Sequence, residues 1–94
     1  MRKKASKLQT VVIKASEYMG ITTFYSNGRI VARMGMVKGT EELYRGFVHQ
    51  LTGLKNFGQY GYEDTIALVE DNVKCLFGDL GLNVEFEYLQ AQTD

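Results

Sequence analysis

Apolar and polar residues alternate most clearly on either side of Asn27-Gly28. The flanking segments, Ile21–Ser26 and Arg29–Met34, are rich in β-branched and aromatic residues. Asn-Gly supplies the two positive φ angles of a type I′ turn, so the pattern predicts a two-residue β-hairpin. A strict two-residue loop sets Tyr25 opposite Ile30, Phe24 opposite Val31, Thr23 opposite Ala32 and Thr22 opposite Arg33. On that register Ile21, Thr23, Tyr25, Ile30, Ala32 and Met34 share the expected core face. Thr22, Phe24, Ser26, Arg29, Val31 and Arg33 share the outer one.

Residues 8–19 carry two patterns. Leu8, Val11, Val12, Ala15, Tyr18 and Met19 follow a helical period, with Gly20 as a C-cap. The β-branched run Thr10–Ile13 favours extended backbone, which supports a strand over Gln9–Lys14. After the hairpin, Gly35 and Gly39 bracket a turn. Thr40 is a good N-cap, followed by Glu41 and Glu42, and Leu43, Tyr44, Phe47, Val48, Leu51 and Leu54 are spaced as the stripe of a first helix. Gly46 inside that helix costs about 1 kcal/mol relative to Ala. Residues 53–62 read as a glycine-rich aromatic loop. A second helix starts near Glu63-Asp64. Its stripe is Tyr62, Ile66, Val69, Val73, Leu76, Phe77 and Leu80, and Gly78 or Gly81 ends it. Leu82, Val84, Phe86 and Tyr88 then alternate with Asn83, Glu85 and Glu87, as in a half-buried strand. The predicted fold class is α+β, one domain over 1–94 with a frayed start at 1–7. It has a small antiparallel sheet of three or four strands in the order β-β-β-α-α-β, with two helices packed on one face.

Charge adds an asymmetry that the net value of zero conceals. Residues 1–55 hold ten Lys/Arg and three acids, whereas residues 56–94 hold Lys74 alone against eight acids. The halves are therefore +7 and −7. Either they neutralise each other across the fold, or they make a dipolar surface that steers a charged partner. If the last strand neighbours the hairpin, Glu85 and Glu87 pair with Arg29 and Arg33 across the sheet.

The residue types of catalysis do not assemble in this chain. His49 is the only histidine and Cys75 the only cysteine, with no partner at metal-ligand or redox spacing. Glu63-Asp64 and Glu70-Asp71 are adjacent pairs on a helix, where neighbours diverge by about 100°. Gly53, Gly58 and Gly61 are not followed by the Gly-Lys-Ser/Thr of a phosphate loop. These patterns point to a non-enzymatic protein without cofactor or metal. No apolar run of 18 residues is present, so no membrane span is expected. No clean apolar stretch follows the basic start, and the lone cysteine fits a reducing cytoplasm.

Three features suit binding. The expected outer hairpin face interleaves Phe24 and Val31 with Arg29 and Arg33. Arg2-Lys3-Lys4 and Lys7 form a basic terminus able to contact phosphate. Phe57, Tyr60 and Tyr62 stand in the glycine-rich loop of a chain with six tyrosines, and tyrosine and arginine dominate interface energetics.

The stretch Tyr18–Arg33, with Thr22-Thr23-Phe24-Tyr25-Ser26-Asn27-Gly28-Arg29 at its centre, resembles the central hairpin of small phage-encoded anti-CRISPR proteins acting on type I-F surveillance complexes. The likeness continues through Thr40-Glu41-Glu42-Leu43, a glycine-containing loop and a second helix, while Leu82–Leu89 is extra. It implies a small antiparallel sheet with two helices that binds the protein backbone of a CRISPR RNA complex and blocks target DNA. Tyr25 is the one position where a family contact matches. The expectation is a protein-binding module that occludes a host protein or ribonucleoprotein complex through Tyr25, Phe24, Arg29 and Arg33, with Phe57 and Tyr60 second. The alternatives are a nucleic-acid-binding domain using the basic half, and a homodimer built by sheet-edge pairing.

Overall fold

The computed structural model describes residues 9–39, 42–50 and 52–89. The basic start, Thr40, Glu41 and Leu51 lie outside the described residues. In chain order the elements are β1 (Gln9–Tyr18), β2 (Ile21–Ser26), β3 (Arg29–Met36), β4 (Tyr44–Gln50), β5 (Gly53–Tyr60), α1 (Tyr62–Gly78) and β6 (Leu82–Tyr88). They form one six-stranded sheet in the order β5-β4-β3-β2-β1-β6. Strands β1 to β5 are an antiparallel meander, and β6 returns parallel to β1.

The expected three- or four-stranded antiparallel sheet with two helices is thus replaced by a six-stranded mixed sheet with one helix. The difference lies in residues 44–60. Tyr44, Phe47 and Val48 satisfy a helical stripe, but Gly46 weakens a helix, and the same residues alternate as Tyr44, Gly46, Val48 against Arg45, Phe47, His49. The glycine-rich segment becomes β5 because it is paired along β4 from Gln50↔Gly53 to Tyr44↔Tyr60. At the start of the chain the β-branched run prevails, and the strand continues to Tyr18. Met19 and Gly20, both at positive φ (54° and 81°), then make a turn like Asn27 and Gly28 (56° and 82°).

The hairpin register holds only for its first two pairs. Tyr25 faces Ile30 as expected, but Phe24 faces Ala32, Thr23 faces Arg33 and Thr22 faces Met34. Val31 is the extra residue of a β-bulge. That one residue changes the phase of β3 against β2. It brings Phe24, Ala32 and Met34 to a single face, where all three are buried. Ile21 and Ile30, expected in the core, are instead more than 40% exposed.

The helix starts and ends close to expectation, with Glu63 and Asp64 in its first turn, where carboxylates interact favourably with the helix dipole. Strands β5 and β6 run the same way at opposite edges, which requires a crossover. A strand of seven residues such as β4 is about 24 Å long, and a helix of 17 residues is about 25 Å long. Helix α1 runs back along β4, with Thr65 at Tyr44, Val69 against Gly46 and Leu76 and Phe77 beside His49 and Gln50, and it also rests on β3, β5 and β6. Val69 and Val73 are completely buried between the layers with Ile13, Phe24 and Val48. Under β1 and β2, Phe24 fills the space, its ring edge-on to Phe86 (6.1 Å) and Tyr88 (6.0 Å).

The helix is tied to each edge of the sheet. The buried Thr65 hydroxyl donates toward the carbonyl oxygens of Tyr60 (3.2 Å) and Tyr44 (3.4 Å). At the other edge, the Tyr88 hydroxyl donates to the Glu70 carboxylate, and Lys74 Nζ stands 6.0 Å from the Phe86 ring centroid. Burial, then the bond to Glu70, raises the Tyr88 phenol well above its usual range.

Two predictions follow from this packing. A Cβ at Gly46 would stand 2.7 Å from Val69 Cγ2 and 2.8 Å from Phe57 Cε2. Gly46→Ala is expected to destabilise by about 1–3 kcal/mol in urea unfolding. At Gly35 the nearest atom to an added Cβ is Ile21 Cγ1 at 3.6 Å, so Gly35→Ala should stay within about 0.5 kcal/mol of wild type. The raised Tyr88 phenol remains protonated in the fold at pH values where an unfolded tyrosine, with a pKa of about 10, has ionised. Its stabilisation is complete below pH ~10 and is lost as pH rises toward the folded value. Urea midpoints measured from pH 8 to 11 should fall less steeply for Tyr88→Phe than for wild type.

Candidate functional site

Because α1 covers one face of the sheet, the other face carries whatever the opposite parity of each strand supplies. From β1 come Thr10, Val12, Lys14, Ser16 and Tyr18. Strands β2 and β3 give Ile21, Thr23, Tyr25 and Arg33, and β4 gives Arg45, Phe47 and His49. The pairing aligns these side chains in rows across the strands. Lys14 is opposite Tyr25. The next row runs Ser16, Thr23, Arg33, Phe47 and Asn56. The third runs Tyr18, Ile21, Gly35 and Arg45. Lys14, Arg33 and Arg45 are exposed, Tyr25 and Phe47 are half-buried, and Tyr18 is 76% exposed.

The charge split of the sequence becomes a split between layers. Strands β2 to β5 contain no acid. On α1 and the turn after it lie Glu63, Asp64, Glu70, Asp71 and Asp79, against Lys74 alone. The helix layer is acidic and the uncovered face of β1 to β5 basic. The exception is β6, where Glu85 and Glu87 border that face. They do not neutralise Arg29 or Arg33, because β6 adjoins β1 and not the β2–β3 hairpin. Glu85 is opposite Val12, and Glu87 is opposite Lys14. Three strand steps separate β6 from β3, about 14 Å, beyond the Debye length of about 8 Å at physiological salt.

The six residues expected to bind do not form one site. Tyr25 and Arg33 share the uncovered face. Phe24 is completely buried beneath it, removed from any surface role by the bulge at Val31. Arg29, at the start of β3, borders a separate groove of ≈ 540 Å³ with Ile30, Val31, Leu76, Phe77 and Leu80 at the C-terminal end of α1. Phe57 is half-buried under the helix opposite Gly46. Tyr60 is 44% exposed at the far end of β5. The sequence reading missed Phe47 and Arg45, which were assigned to a helix. The signal that identifies them is the alternation of Tyr44–Gln50.

A depression of ≈ 560 Å³ opens beside the first row, lined by Thr10, Val12, Lys14, Tyr25, Ser26 and Asn27. Among the described residues no three His, Cys, Asp or Glu side chains converge to hold a metal ion, and no helix is long and apolar enough to cross a membrane. Cys75 is a free, exposed thiol.

Compared with protein-family models, curated proteins and solved structures, the chain matches none, so the resemblance of its hairpin to anti-CRISPR proteins stands on those residues alone.

Proposed function

We propose that this chain is a non-enzymatic binding module that docks its uncovered sheet face onto an anionic macromolecular surface. One observation carries the reading: the face of β1 to β5 presents Lys14, Arg33 and Arg45 among Tyr18, Tyr25 and Phe47, with no carboxylate of its own. Opposite charge on the two layers orients the approach, since the acidic helix layer is repelled by the surface that attracts the sheet. Arginine and aromatic side chains then supply the short-range energy. No step of the reading involves turnover. A cytoplasmic setting agrees with the unpaired Cys75.

A second reading rests on the position of Tyr25, which lies on this face and is where the anti-CRISPR resemblance implies a partner contact. On a host nucleoprotein complex, the docked module would leave its acidic helix layer outermost. Occlusion would then combine bulk with repulsion of incoming DNA. Self-association through the β6 edge is disfavoured, because antiparallel self-pairing sets Glu85 and Glu87 against their own copies.

The docking face is tested on immobilised heparin, a generic polyanion. Wild type should be retained, and the combined Lys14→Ser, Arg33→Ser and Arg45→Ser variant should elute at clearly lower salt. Asp71→Asn on the helix layer should not elute earlier than wild type. If the triple variant, folded by circular dichroism, elutes with wild type, the sheet face is not the docking surface.

A further inference from the structure

We infer that the occupant of the uncovered face is a single-stranded nucleic acid, an inference that rests on the docking reading above. Over β1 to β4 each of the three rows holds one cation and one aromatic ring, and the first row continues on β6 to Glu87 beside Lys14. Lys14 and Tyr25 are direct cross-strand neighbours. Arg33 and Phe47 are too. Tyr18 and Arg45 close the third row at its two ends. Successive rows are two residues apart, about 6.8 Å along the strand, and within them the rings stand on β2, β4 and β1 and the cations on β1, β3 and β4. Cations and rings interspersed over one flat face match a polymer that carries both phosphates and bases.

The form of the partner follows from the flatness of the site. A duplex hides the faces of its bases, and its major groove accepts a helix or a two-stranded ribbon rather than a six-stranded sheet. An acidic peptide would engage the cations but has no planar group for the rings. Single strands expose base faces to aromatic platforms on a sheet. The depression beside Tyr25 extends the platform, with Thr10, Ser26 and Asn27 in place to meet a base edge. Glu85 and Glu87 mark the limit of the track. Placed opposite Val12 and Lys14, they repel a phosphate backbone from β6 and keep it over β1 to β4.

The test is fluorescence anisotropy with a labelled 12-nucleotide oligothymidylate, a duplex of the same length and polyglutamate as competitor. Wild type should bind the single strand at low salt at least ten-fold more tightly than the duplex. The logarithmic salt slope should be about −2, from three phosphate contacts. Tyr18→Ala, at a side chain too exposed to matter for folding, should weaken binding about five-fold or more with the slope unchanged. Tyr25→Leu and Phe47→Leu, which keep bulk but remove the ring, should do the same. Arg33→Gln and Arg45→Gln should flatten the slope, and Glu87→Gln should tighten binding. Equal affinity for duplex, no loss on removing the rings, or displacement by polyglutamate alone would overturn the inference. Any of these, with the heparin result intact, leaves the docking face standing with a different occupant. Failure of the heparin test removes both.

Discussion

Val69 of the helix meets the sheet at Gly46, where β4 has no side chain, and the Phe57 ring closes the same space from β5. This close approach lets a single helix serve as the whole second layer. With α1 seated on β4, Thr65 reaches the carbonyl oxygens at the ends of β4 and β5. The remaining length of the helix follows β4 toward His49 and Gln50. From its flank, Glu70 and Lys74 secure Tyr88 and Phe86 of β6. The aromatic group of Phe24, Phe86 and Tyr88 completes the core on the β1, β2 and β6 side of the helix. One layer being sufficient, the opposite face stays uncovered.

How much of this was legible in the sequence depended on whether a residue's neighbours were local. The Asn27-Gly28 turn, the body of α1 and the alternation of β6 are local signals, and each appears where the pattern puts it. Strand β4 was lost because Tyr44, Phe47 and Val48 satisfy both a 3.6 and a 2.0 period over so short a span. The choice was made by Gly46, whose role exists only once Val69 and Phe57 are packed on it. The bulge at Val31 has no local marker. It reconciles two strands that each offer large side chains at incompatible positions, and only the assembled core reveals that conflict.

The candidate site inherits the same pattern. The strict register set Tyr25 on the expected core face and apart from Arg33, and the bulge places both on the uncovered face. Phe24 was misplaced by one inserted residue, and Phe47 and Arg45 disappeared with their strand. The charge asymmetry was legible as arithmetic but not as geometry. It became a difference between layers only because four of the five strands in the meander lack acids while the crossover helix is rich in them.

The parallel pairing of β1 with β6 bears on how this chain reaches its fold. Gln9 aligns with Leu82, so the first and last described strands close a loop that encompasses the rest of the domain. Each step of the meander is a hairpin between consecutive strands and carries little loop-closure entropy. The β1–β6 contact carries the largest closure cost in the molecule, because the meander and the crossover helix all lie between its two strands. Docking of the last strand is accordingly the step on which cooperative folding depends. Until it occurs, β1 remains an unpaired edge open to association with other chains.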